Sequence, residues 1–175
     1  MLNFVAYLFA FLSLILSGAM FGFFYAWVRS TMWGLDAAKP AIALQAMQAM
    51  NASVRNAVFA PAFFGTPIVL LVAAGLAFGL GRKASTAAFA LGALVYALGV
   101  FVVTMTVSVP MNQALAAIDV ASVGDRLGAI WQDYSGRWQV WNIVRAVAAG
   151  AVLVLAGLGL RGLSRSHAGS RAVSL

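Results

Sequence analysis

The chain has 175 residues, of which 63% are hydrophobic and 9% charged, with no cysteine. Soluble domains run near half apolar and about a quarter charged, so a mean hydropathy of +0.96 excludes a water-soluble fold and marks an integral membrane protein. The missing cysteines exclude thiol–disulfide chemistry, iron–sulfur clusters and a disulfide scaffold. The net charge of +7 comes from having only four acids, not from a dense basic patch. The basic residues are scattered between apolar runs, so no nucleic-acid partner is expected.

A spanning helix needs about 20 apolar residues, and four runs meet that length. The first covers residues 2–28 and stops at Arg29. It is longer than a signal core and lacks a basic start, so it is expected to stay as a span despite the cleavage-like Ser17-Gly18-Ala19. The second covers residues 58–80 and stops at Gly81-Arg82-Lys83. The third covers 84–109 and is expected to end at Pro110. The fourth covers 140–160 and stops at Arg161. None alternates with period two, so strands are excluded. The expected fold is an all-α integral membrane four-helix bundle with outer-side amphipathic helices, over residues 1–161. A mobile basic tail over 162–175 is expected near anionic headgroups.

Orientation follows from charge. The 81–83 turn and the stretch from Arg161 onward hold five basic residues and no acid, while Asp36, Asp119, Asp125 and Asp133 all lie in the opposite connections. The positive-inside rule places both termini in the cytoplasm, in a membrane of the bacterial inner-membrane type. Membrane lipids are the expected surroundings. Gly18 and Gly22, Gly75 and Gly79, and Ala146 and Gly150 stand four apart and suit close helix packing within the bundle.

The two outer connections are unusual. Residues 40–59 read as one amphipathic helix, with Pro40 in its first turn. Met47, Met50, Val54 and Val58 make an apolar stripe, and Gln45, Gln48, Asn51 and Arg55 a polar one. Two arrangements fit: a helix lying in the interface and wet on one side, or one that turns Gln48 and Asn51 inward to a polar pocket. In the second connection, Asn112 follows Pro110 and can satisfy backbone groups that the proline frees. Further on, Trp131, Tyr134, Trp138, Trp141 and Arg145 recur at three or four residues and are expected on one face. Asp133 and Arg137, four apart, can pair on another. Asn142 and Arg145 fall at the start of an apolar span. A guanidinium there either snorkels to the interface or turns inward to bind an oxygen, with Trp141 stacked on it.

The remaining inventory is short. The single histidine, His167, lies in the tail, and no Asp or Glu lies inside a span. Haem, di-iron, copper and zinc sites, proton relays and a Ser-His-Asp set all lack their residues. No phosphate-cradling glycine motif is present. A site free of metal and cofactor, built from Asn, Gln, Arg, Trp and Tyr, is what the residues allow.

Three motifs then stand out: Met47-Gln48-Ala49-Met50-Asn51, Pro110-Met111-Asn112-Gln113-Ala114-Leu115, and Trp138-Gln139-Val140-Trp141-Asn142-Ile143-Val144-Arg145. In order and spacing, from about Gly18 to Arg145, the chain resembles the anthrone oxygenase family of small four-helix membrane proteins. The resemblance implies oxidation of a lipophilic aromatic or quinol by dioxygen without a cofactor. It also implies Arg145, Asn142 and Asn112 as catalytic donors to a substrate oxyanion, and Trp138, Trp141, Gln48 and Asn51 as substrate-binding residues. Asp133 is the nearest acid that could serve as base, against its reading as the partner of Arg137. The alternative is a non-enzymatic membrane subunit that binds a lipid, quinone or pigment beside a membrane protein partner in a larger complex.

Overall fold

The computed structural model describes residues 1–164. The basic tail expected over 162–175 therefore falls almost wholly outside the described residues, as do Arg165, His167 and Arg171. Residues 162–164 continue the last helix. Among the described residues the fold is all helical, and four helices are long and apolar enough to cross a membrane. The chain is an integral membrane four-helix bundle.

The first helix, α1, runs Leu2–Asp36, with a π-helical stretch at Trp27–Thr31. A short helix, α2 (Pro40–Ser53), follows. Two more spanning helices, α3 (Phe59–Gly79) and α4 (Lys83–Ala116), form a hairpin. Gly81 turns between them with φ +70°, and the Arg82 amide donates to the Ala77 carbonyl at 2.9 Å, closing the end of α3. The last helix, α5 (Leu127–Ser164), follows a 3-10 turn at Gly124–Arg126. In the bundle each spanning helix packs on two neighbours, in the ring order α1, α3, α4, α5. The parts at the end opposite the Gly81 turn, including α2 and the first half of α5, form a cap with its own apolar cluster around Met32, Leu44, Met47, Leu115 and Trp131.

Three expectations need correction. First, Pro110 does not end the third span: α4 passes through it to Ala116. Proline removes one amide and crowds the carbonyl four residues back, here that of Thr106. The turns just before it, Thr104–Ser108, are π-helical and therefore wider. Thr104 and Thr106 hydroxyls donate to the Val100 and Val102 carbonyls at 2.7 and 2.8 Å, so acceptors near the widened turns keep partners. Second, the amphipathic helix over 40–59 stops at Ser53. The Asn56 side-chain carbonyl accepts from the Val58 and Phe59 amides, both at 2.9 Å, and so caps a separate helix, α3. Third, Gly75 and Gly79 are not a packing face, since a Cβ at either would meet nothing within 4 Å. The tight approach is between α4 and α5, where a Cβ on Gly99 would stand 2.6 Å from the Ala148 Cβ.

Pro67 lies inside α3 and cannot donate to the Phe63 carbonyl. The hydroxyl of buried Tyr96, on α4, donates to that carbonyl instead at 2.8 Å. Tyr96→Phe leaves the acceptor without a partner in an apolar interior. The expected loss is about 1–3 kcal/mol of stability, read as a lower thermal midpoint of the purified protein in one detergent; an unchanged midpoint would remove this bond from the account of the α3–α4 pairing.

Candidate functional site

The site is built where α5 enters the bundle. At 100° per residue, Trp131, Tyr134, Trp138, Asn142 and Arg145 span about 80° around α5, and Trp141 lies about 20° beyond the edge of that arc. The buried face accordingly carries Trp131, Tyr134, Trp138, Asn142 and Arg145, while Trp141 is 38% exposed. Trp141 therefore neither stacks on Arg145 nor borders the cavity described below. The rings on the guanidinium are Phe24, with its centroid 4.8 Å from Cζ, and Trp138, at 5.3 Å.

Arg145 is only 6% exposed, so it does not snorkel. Its Nη2 donates to Asn142 Oδ1 at 3.1 Å, and its Nη1 makes a long 3.5 Å contact with Thr104 Oγ1. Asn142 Nδ2 in turn donates to the Phe24 carbonyl at 3.1 Å, which fixes the amide so that its oxygen faces the arginine. Nε has no partner. No carboxylate pairs with this cation: among the described residues the one ion pair joins Arg137 to Asp133, exposed on the outside of α5. Burying an unpaired charge is costly, and residues that carry such a cost inside a span usually serve function.

One turn nearer the cap, Asn112 Oδ1 accepts from Tyr134 Oη at 2.8 Å and from Trp138 Nε1 at 3.2 Å. Asn51 Nδ2 donates to Tyr134 Oη at 3.3 Å. These bonds tie α2, α4 and α5 together and hold the Trp138 ring beside Arg145. Gln48 also turns inward, but its Nε2 donates to the Leu115 and Ile118 carbonyls, both at 2.9 Å. It satisfies the end of α4 and does not border the cavity. Asn112, which the sequence suggested for freed backbone groups, instead uses its side-chain oxygen to accept from two side chains.

Arg145, Trp138, Asn112 and Asn51 all border one cavity of about 580 Å³, within the range of roughly 300–1,000 Å³ usual for small-molecule sites. Asn142 stands just behind it, bonded to Arg145. Aromatic rings make much of the wall, with Phe24, Trp27, Phe59 and Phe63 prominent. Both π-helical stretches nearest the cap contribute, through Trp27 on one side and Thr104, Met105 and Ser108 on the other. The Ser108 hydroxyl is buried there without a partner. Among the described residues, the charged side chains on the wall are Arg145 and, at the exposed rim, Arg55. Asp133 is not on it. Asp36, which sequence reasoning passed over, lies elsewhere in the cap and accepts from Trp131 Nε1, Ser135 Oγ and Gln139 Nε2 at 3.0, 2.6 and 2.9 Å, anchoring the end of α1 to α5. Among the described residues no three His, Cys, Asp or Glu come together as a metal-binding group.

A family model described as anthrone oxygenase matches residues 54–155. The chain belongs to the anthrone oxygenase family. No curated protein and no solved structure matches it. The matched region begins at the cavity rim and carries Thr104, Ser108, Asn112, Trp138, Asn142 and Arg145. The walls given by α1 and α2, with Phe24 and Asn51, precede it. In this anthrone oxygenase family member, then, the unpaired arginine, its amide support and most of the cavity fall within the segment the family shares.

Proposed function

We propose that the protein is an oxygenase that needs no metal or cofactor and oxidises a flat, acidic, lipophilic aromatic, of the hydroxyanthrone or quinol kind, in this cavity. The observation that carries the proposal is a buried guanidinium with free donor capacity on an aromatic-walled cavity to which no described residue brings a carboxylate. Such a wall favours a ligand with an apolar body and an anionic oxygen. Rings of Trp27 and Trp138, with centroids 5.1 Å apart, offer faces for a planar ligand.

The chemistry then runs as follows. An anthrone methylene loses a proton, and the electron pair delocalises into an aromatic oxyanion. Arg145 stabilises that oxyanion, which lowers the barrier to ionisation. Since no carboxylate of the described residues borders the cavity, the proton passes to water at the Arg55 rim. The carbanion gives its electrons to dioxygen, one carbon–oxygen bond forms, and the hydroperoxide loses water to leave a carbonyl. The sum is CH2 plus O2 giving C=O plus H2O. Asn142 positions the arginine, and Asn112 positions Trp138.

We also propose that the cap faces the extracytoplasmic side of a bacterial inner membrane with both termini in the cytoplasm, on the charge asymmetry given above. The test of function is oxygen uptake by the purified protein with a dihydroxyanthrone, joined to native mass spectrometry of gently extracted protein. One O2 consumed per anthrone, above the spontaneous rate, and an aromatic or quinone bound to the extract are expected. Asp133→Asn is expected to keep the rate within about twofold, as an exposed pair on another face contributes little. No uptake above background, with a partner chain co-purifying, would overturn the enzyme reading in favour of a ligand-binding membrane subunit.

A further inference from the structure

The cavity has two kinds of border. At the rim lie Arg55, Asn56 and Ala57, all exposed. On its flank lie Phe64 of α3 and Met105 of α4, which also border the cavity yet are 48% and 37% exposed. Both residues belong to membrane-crossing helices, and Phe64 stands about 8 Å along α3 from its start at Phe59. Their outer surfaces therefore meet acyl chains.

The gap has a structural cause. α3 and α4 pack together from the Gly81 turn as far as Phe101, whose ring stacks on Phe63 at 5.8 Å and meets Phe64 edge-on at 5.9 Å. Beyond that floor the rest of α4 packs on α5 and α2 instead of following α3. The π-helical Thr104–Ser108 stretch lies at the divergence, and its Thr104, Met105 and Ser108 face the opening. A methionine at such an edge is unbranched and adapts its shape easily.

We infer that the ligand enters sideways from the lipid, through the gap between α3 and α4 edged by Phe64 and Met105, and not over the watery rim. This inference rests on reading the cavity as the site of a flat acidic aromatic. A compound of that class partitions into the leaflet and is concentrated there. The side gap lets it slide in ring-first with its apolar body never leaving hydrocarbon, until its oxygen meets Arg145. The rim then serves water and protons. A second groove lies between α1 and α3, beyond the Phe23–Phe59 ring pair at 4.9 Å, but Arg145 and Asn112 do not border it.

The test compares two probes in vesicles: free 2-hydroxyanthraquinone, and a phospholipid bearing the same group at the end of one acyl chain. The tethered probe cannot leave the bilayer. Binding is read as quenching of tryptophan fluorescence, since Trp27 and Trp138 border the cavity. Both probes are expected to bind, within about tenfold of one another. Met105→Trp, which narrows the gap, should weaken the tethered probe at least fivefold more than the free one, because only the tether must stay in the gap. Val102→Trp, on the lipid face away from the cavity, should not discriminate between them. Binding of the free probe alone would overturn sideways access and leave the site standing. Equal response of both probes to Met105→Trp would overturn the placement of the gap. Binding of neither probe to the unaltered protein would overturn the reading of the cavity itself.

Discussion

Arg145→Gln is expected to lower kcat/KM for a dihydroxyanthrone by about two to three orders of magnitude, the cost usually seen when one donor to an oxyanion is removed. The same substitution should leave the thermal midpoint unchanged or raise it. The wild-type guanidinium is buried with no carboxylate partner, so removing the charge removes a desolvation cost as well as two hydrogen bonds. Arg145→Lys should recover only part of the rate. A lysine keeps the charge but not the planar fork that bonds Asn142 with one nitrogen and leaves others for a ligand. Oxygen uptake and unfolding, measured on the same preparations, check both halves. A variant that loses activity and stability together would make Arg145 a structural residue, contrary to the site proposed here.

The second large effect is expected at Asn112. Asn112→Ala removes the acceptor of both Tyr134 and Trp138, so two donors lose their partner beside the cavity. About 1–3 kcal/mol of stability should go with it. The Trp138 ring is also released from its place beside Arg145, and turnover should fall about tenfold or more, as reacting groups are misplaced. Asn112→Asp separates the two consequences. It keeps an acceptor for both donors, so most of the stability should remain, but it adds a negative charge to a cavity wall whose charged side chains, among the described residues, are both arginines. Binding of an anionic ligand should weaken while binding of a neutral aromatic of the same shape is spared. Equal binding of both by Asn112→Asp would argue against an anionic ligand.

The four spans were readable because apolar runs of membrane length have few other uses. Arg145, Asn142 and Asn112 were readable for the opposite reason: polar groups in or beside such runs need a purpose. The structure brings Arg145, Asn112, Trp138 and Asn51 to the cavity, with Asn142 bonded to the arginine, and leaves Trp141 and Gln48 away from it. Spacing of three and four puts Trp141 with the buried face, but it stands at that face's edge and is turned outward in the structure. Gln48 and Asn51 share a stripe but differ in what lies opposite: helix-end carbonyls for one and a tyrosine hydroxyl for the other. Nothing in a single sequence tells these apart.

The cavity walls left even less signal. Phe24, Phe63, Thr104 and Ser108 look like any residues of a membrane helix, because lipid and an apolar ligand make the same demands on a side chain. Pro110 misled for a related reason. In water a mid-helix proline kinks or ends the helix, but in a bundle the widened π-helical turn before it and threonine hydroxyls keep nearby backbone acceptors bonded. The Tyr96 hydroxyl does the same for Pro67 across two helices, a pairing that only the tertiary structure reveals.

The most direct measurement is the ionisation of a bound ligand. Hydroxyanthraquinones absorb at longer wavelength as phenolates, so 2-hydroxyanthraquinone reports its own protonation inside the protein. A guanidinium beside the oxygen favours the anion and lowers the pH at which it forms. With wild-type protein the bound probe should keep its phenolate band to a pH well below that of the probe free in the same vesicles, and Arg145→Gln should abolish the difference. A bound probe that titrates at or above the pH of the free one, or that titrates alike in wild type and Arg145→Gln, would contradict an anion-stabilising arginine at the heart of this cavity.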